Sequence, residues 1–154
     1  MRFILTSLIR EKISIKDITH IFEKINDFAQ ESTKSDLIKK IRLSLSRQIC
    51  KSNENSDGEI AAFEISEKTL DKFMPNFDES DDAIIRIDAG FAEKLAEKLL
   101  KKAQLMNIES PKLLVPLEFR HLIFTLLSNY MNDIAVLSRE EIGCNSQINV
   151  IAEI

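Results

Sequence analysis

The chain has 154 residues, 44% of them apolar, and only three Gly and three Pro, which suits one or two small helix-rich domains and excludes a turn-rich sandwich. No run of about 18 apolar residues is available to cross a bilayer. The net charge of −4 hides an asymmetry: residues 1–52 carry 11 Lys+Arg against 6 Asp+Glu, and residues 53–154 carry 10 against 19, so a +5 unit precedes a −9 unit and the two face different partners or each other.

The opening stretch MRFILTSLIR lacks the small-residue cleavage site of a signal peptide and is predicted to be a helix with Phe3, Ile4, Leu8 and Ile9 inward. Ser14 with Asp17 offers an imperfect capping box to a second helix. Ile15, Ile18, Ile21, Phe22, Ile25 and Phe28 recur there at steps of three and four, the spacing of one helix face. After the polar stretch from Gln30 to Lys34, a third helix is predicted from about Ser35 to Cys50, with Leu37, Ile38, Ile41, Leu45 and Ile49 on one face and Lys39, Lys40, Arg42 and Arg47 on the other. These helices form a unit over residues 1–52 that is too small to be comfortable alone and is expected to lean on a neighbour.

The stretch KSNENSDG, Lys51 to Gly58, has no apolar residue and marks a boundary, with residues 53–57 as the linker. Residues 58–154 then alternate strand and helix signals. Strands are predicted at Ile60–Ile65, around Ile84–Ile87, at Leu113–Val115, at Ile134–Leu137 and at Gln147–Ile154. Between them come a short helix capped by Ser66 and ended by Pro75, and a long helix capped by Asp88 with Ala92, Leu95, Ala96, Leu99, Leu100, Ala103 and Met106 in one stripe. A further helix carries Phe119, Ile123, Leu126, Leu127 and Tyr130 inward, and Ser138 with Glu141 forms a capping box over a single turn. The fold class is therefore α+β or α/β: a three-helix unit followed by a small mixed-sheet subdomain. The last strand follows a short connection and is expected to be antiparallel, because a parallel crossover takes a dozen or more residues.

Catalytic signatures are missing. The sequence has no G-x-x-x-x-G-K-[ST], no G-x-G-x-x-G and no G-x-S-x-G. His20 and His121 have no second His or Cys at i+3 or i+4, so neither has a ligand set. Cys50 and Cys144 match no metal spacing and are expected as free thiols. Asp78, Glu79, Asp81 and Asp82 form an acidic stretch without the Gly and Glu of a calcium loop; it is expected as a solvated, partner-facing loop. The basic face of the third helix admits three readings: a solvated face, a protein contact through Arg–carboxylate pairs, or a phosphate contact. Nothing aromatic or Gly-rich interleaves with it, which disfavours nucleic acid.

Five stretches carry a family resemblance. LIREKISIKDITHIFEKI resembles the L-R-E-x-V-S-I-R-D-L-x-x-I-L-E-x-L segment of the export-gate proteins of type III secretion, through Leu8 to Glu11, Ser14 to Ile18, Ile21 to Glu23 and Ile25. IRLSLSRQI resembles V-R-x-A-L-x-R-Q-I through Ile41, Arg42, Leu45, Arg47, Gln48 and Ile49. KLLVPLEFRHLIFTLL is similar to P-V-L-L-x-x-x-x-x-R-x-x-x-x-x-L. AVLSREEI is similar to V-L-S-x-x-E-I through Val136, Leu137, Ser138, Glu141 and Ile142, and QINVIAEI to the terminal V-x-V-x-x-V-G-x-I. Lys16 stands in place of the usual Arg, Pro116 in place of a Ser or Thr cap, and Asn129 to Asp133 in place of Phe-Pro.

The resemblance implies a longer protein with a membrane part and further cytoplasmic subdomains outside these residues, residues 1–52 and 58–154 being its last two. It implies a docking platform and not an enzyme, without a cofactor or metal, at the cytoplasmic face of the bacterial inner membrane, with the injectisome branch favoured over the flagellar one. Its expected partners are copies of itself in a nine-fold ring, chaperone–substrate complexes and other export components, with unfolded substrates passed to a membrane channel; no nucleic acid is expected. Candidate residues for the subunit contact are Arg10, Lys39, Arg42 and Arg47, with Arg42 and Arg47 foremost. The competing expectations are a generic α/β interaction module and a nucleic-acid binder.

Overall fold

A computed structural model describes residues 1–30, 33–73 and 89–154. The strand expected around Ile84–Ile87, the helix stop at Pro75, the cap at Asp88 and the acidic stretch Asp78, Glu79, Asp81 and Asp82 lie outside the described residues. In chain order the elements are α1 (Arg2–Arg10), α2 (Ile18–Phe28), α3 (Lys34–Ser44), α4 (Ser46–Asn53), β1 (Glu59–Glu64), α5 (Glu67–Phe73), α6 (Ala89–Leu105), β2 (Lys112–Leu114), α7 (Leu117–Leu127), β3 (Ala135–Leu137), α8 (Arg139–Ile142) and β4 (Gln147–Glu153).

The expected third helix is two. Leu45, at φ −96° and ψ 12°, ends α3 and precedes α4. The bend turns Ser46 toward α8, where its hydroxyl bonds the Glu141 carbonyl. Neither Gly nor Pro marks the break, and because Leu45 and Ile49 stay buried on both sides of it, periodicity alone reads straight through. The cap of α2 also differs from expectation. Asp17, not Ser14, accepts the His20 N–H, since a carboxylate directly before the first turn reaches the free amides there.

The four strands form one sheet in the order β3-β2-β1-β4, and each pairing among them is parallel. The antiparallel expectation for the last strand is thus corrected: β4 runs parallel to β1. The dozen-residue rule describes a crossover helix lying lengthwise on the sheet. Here nine residues, the single turn α8 among them, carry the chain across the face of the sheet from β3 at one edge to β4 at the other. Gly143, at φ +54°, turns the chain out of α8 in a conformation suited to a residue without Cβ.

Strand alternation divides the core. Phe63, Leu113 and Val136 point to one face, where they pack with Leu95, Leu99, Ala103, Ile123 and Leu127 of α6 and α7. Ile60, Ala62, Leu114 and Leu137 point to the other, where they pack with Ile4, Leu8, Ile21, Ile38, Ile41 and Ile49 of the amino-terminal helices. The helical stretch therefore leans on the sheet, completing a helix–sheet–helix sandwich. Some apolar residues expected inward are not: Phe3, Ile9, Ile18 and Phe22 are exposed at 42, 56, 38 and 36%.

Candidate functional site: a buried charge cluster and its outer surface

Among the candidate contact residues, Arg42 is misplaced by the sequence reading. It is 2% exposed and does not lie on an outer basic face. On α3 it follows Ile38 by four residues and precedes Leu45 by three, which sets it on the stripe that faces the sheet. Its Nε and Nη2 form a bidentate fork with Glu141 Oε1 at 2.5 Å and Oε2 at 3.0 Å. Its Nη1 donates to Glu11 Oε2 at 2.6 Å.

Arg120 of α7 joins from the other side. Its Nη1 donates to Glu11 Oε2, its Nη2 to Glu11 Oε1 at 3.2 Å, and Nη1 also reaches the Val136 carbonyl at 3.4 Å. Its Nε lies 3.2 Å from Glu141 Oε1 but is off the line of a hydrogen bond. The Glu141 carboxylate also accepts the Ser138 N–H while Ser138 Oγ accepts the Glu141 N–H, so the capping box of α8 and the ion cluster share one carboxylate.

Two guanidiniums and two carboxylates thus neutralise each other, all with side chains at most 5% exposed. Burial alone would lower the pKa of Arg42, but its bonds to Glu141 and the fields of Glu141 and Glu11 outweigh that and raise it. For Arg120, burial and the neighbouring Arg42 charge prevail and lower it. Both remain cations, as arginines do in proteins. His121, next along α7, has its pKa lowered by burial first and by Arg120 second. Its Nδ1 is buried and has no hydrogen-bond partner among the described residues, and its ring meets Phe3 edge-on at 6.5 Å between centroids.

Each charged member comes from a different one of the resembling stretches: Glu11, Arg42, Arg120 and Glu141. Arg120 and Glu11 were not singled out in the sequence. The available signal was position, since Arg120 sits between Phe119 and Ile123 on the apolar stripe of its helix, where an unpaired charge would be costly.

The remaining candidates are at the surface. Arg10 and Arg47 are exposed. Lys39 is half-buried and pairs with Asp36 at 3.3 Å. Gln48, beside Arg47, donates to the Ser14 carbonyl at 2.7 Å and ties α4 to the α1–α2 turn. Cys50 and Cys144 are free, and burial pushes the Cys50 thiol pKa up. Among the described residues, no group of three or more His, Cys, Asp or Glu could hold a metal, and no helix is long and apolar enough to cross a membrane.

Comparison with known proteins gives this geometry its context. The flagellar biosynthesis protein FlhA of Borreliella burgdorferi is 29% identical over 154 residues, covering 96% of this chain and 22% of that protein. The Shigella flexneri MxiA protein superposes with a TM-score of 0.83 at 28% identity, over 98% of this chain and 49% of the other. A nonameric SctV-C assembly from EPEC shares the fold, with a TM-score of 0.76 at 21% identity, over 98% of this chain and 46% of that one. The chain therefore spans about a fifth of the length of its curated relative. The FHIPEP family matches residues 1–147, and the chain belongs to that family, as part of the carboxyl-terminal region of a type III export-gate protein.

Proposed function

We propose that this chain is the ring-forming and docking part of an export gate: it assembles with copies of itself, receives chaperone–substrate complexes and helps pass unfolded polypeptides toward a membrane channel, acting as a platform without catalysis. Family membership supports the setting, and the nonameric SctV-C relative is a precedent for the ring. The observation that carries self-assembly is on the surface of the amino-terminal helices. Ile9 of α1, Ile18 and Phe22 one turn apart on α2, and Leu43 of α3 are exposed there beyond what the core uses, with Arg10 and Arg47 exposed on the same helical stretch. Apolar surface flanked by charge is the usual composition of a protein contact, and a closed ring needs two unlike, complementary patches on each subunit.

Arg42 is no part of this surface, because its guanidinium is spent inside the chain. That also removes the strongest cation from the supposed phosphate-binding face, and Lys39 is engaged by Asp36, so no specific observation favours nucleic acid.

The test is charge reversal at Arg10 and Arg47, as R10E and R47E together, in the complete cytosolic region of the protein. Sedimentation velocity is expected to shift from rings toward monomers while circular dichroism stays unchanged. An unaltered ring population would remove these two residues from the contact.

A further inference from the structure

The outer edge of β4 has no role in the assembly reading above. β4 pairs with β1 alone, and among the described residues no strand lies on its other side. It is seven residues long, against three for β3 at the opposite edge. Gln147, Asn149, Val150 and Glu153 are exposed. A long, exposed edge presents unpaired N–H and C=O groups, and proteins ordinarily blunt such edges with lysine, proline, bulges or charge.

Here the blunting devices crowd one end. Lys102 donates to the Glu153 carbonyl, and the register with β1 shifts between Ala62 and Phe63, opposite Val150 and Ala152. The preceding stretch, Gln147 to Val150, keeps regular register with Glu59 to Ala62 and contains neither charge nor proline. Among the described residues it is an open template.

The neighbourhood says which strand it would take. At the amino end of β4 stand Glu54, which accepts from Ser146 Oγ, exposed Asp57, and Glu59, which pairs in register with Gln147; Lys51 is the nearby cation in sequence. A second copy of β4 laid antiparallel would bring the Glu153 of one copy opposite the Ser146–Gln147 end of the other, beside Glu54 and one strand away from Glu59, and like charges at such an end repel. We infer that the Gln147–Val150 edge of β4 docks an extended segment of a different polypeptide, one of alternating apolar and polar residues with Lys or Arg at the end nearest Glu54, Asp57 and Glu59. Main-chain hydrogen bonds would supply affinity irrespective of sequence, and the flanking cation would supply orientation. This surface is independent of the proposed ring contact, so either can fail without the other.

The experiment uses the 154-residue chain and a nine-residue peptide of alternating Val and Thr with Lys at both ends, read by amide hydrogen exchange and fluorescence anisotropy. In the free chain, the outward amides of residues 147–150 are expected to exchange fast, and peptide should slow them at least tenfold. N-methylating the peptide on the set of alternate amides that faces β4 should weaken binding at least tenfold, and on the other set by less than twofold, since two or three net hydrogen bonds of about 1 kcal/mol are at stake. Exchanging Lys for Glu in the peptide should weaken binding about fivefold, the scale of exposed ion pairs, and the double variant D57K and E59K should reverse that preference. Four results would each overturn the inference: slow exchange in the free dilute chain, protection that rises with chain concentration alone, peptide binding that leaves residues 147–150 unprotected, or indifference to which alternate amides are methylated.

Discussion

Arg42 shows how one side chain can change meaning between sequence and structure. In the sequence it is one of four cations on a helix, but in the fold it shares two buried carboxylates with Arg120 and gives Glu141 its bidentate partner. The two readings predict opposite outcomes for its removal. An exposed arginine is nearly silent, within about 0.5 kcal/mol, whereas breaking a buried pair by deleting one partner costs about 3–5 kcal/mol. Arg42→Ala should therefore shift urea unfolding by the larger amount and Arg47→Ala by the smaller. Equal, small shifts would mean that water reaches Glu11 and Glu141 after all. His121 carries the pH response of the same neighbourhood. Arg120, Arg42 and Arg10 lower its pKa and Glu11 raises it, while burial is the largest influence and lowers it. The folded pKa is thus below the unfolded value near 6.5, so the unfolded chain takes up a proton first as the pH falls. The stabilisation from keeping His121 neutral is complete above about pH 6.5 and is lost as pH falls toward the folded pKa. Denaturant midpoints measured from pH 7.5 to 5.5 should fall with acidification, and His121→Gln should flatten that slope. If the slope persists in the variant, the proton is taken up elsewhere.

At the scale of elements, most of the architecture was legible because it rests on local rules. The capping box at Ser138 and Glu141, the stripe of Ala92 to Ala103 and the apolar run of β1 are each set by residues within a turn or a strand of one another. What escaped was set at long range. The bend at Leu45 exists because α4 turns toward α8, 93 residues farther along the sequence (Ser46 to Arg139), and no residue near Leu45 announces it. The direction of β4 depends on its partner being β1 and not β3, a choice made by the sheet order. The inward stripe of α2 was overcounted for a related reason. It carries five apolar residues, Ile18, Ile21, Phe22, Ile25 and Phe28, yet only Ile21 and Ile25 are fully buried, so the excess belongs either to a partner or to solvent, and periodicity cannot say which. The charge cluster was half legible. Glu141 was found as a cap and Arg42 as a cation, but their pairing joins α3 to α8 and has no local signature.

For the whole molecule, composition divides the chain near Gly58, while the core crosses that line. The helices of residues 1–53 bury their apolar stripe against Ile60, Ala62, Leu114 and Leu137, and Arg42 of the first part is locked to Glu141 of the second. If the helices came away, one whole face of the sheet would meet water, and Arg120 and Glu141 would lose their partners Glu11 and Arg42. Each buried aliphatic side chain thus exposed costs about 1.5–3 kcal/mol, so the loss would be a large fraction of the stability of a small protein. Unfolding should accordingly be one cooperative event. The sequence offers two well-placed reporters for this. Tyr130 is the sole tyrosine and there is no tryptophan, so its fluorescence follows the loop after α7, on the carboxyl-terminal side. Far-UV circular dichroism is weighted toward helix, to which α1–α4 contribute much of the signal. Urea midpoints from the two reporters should coincide in the wild-type chain. In Arg42→Ala they should still coincide, at lower urea, because the lost pair weakens the joint without giving either side a core of its own. A dichroism transition that precedes the Tyr130 transition would show instead that the helices detach as a unit while the sheet and its α6–α7 layer survive.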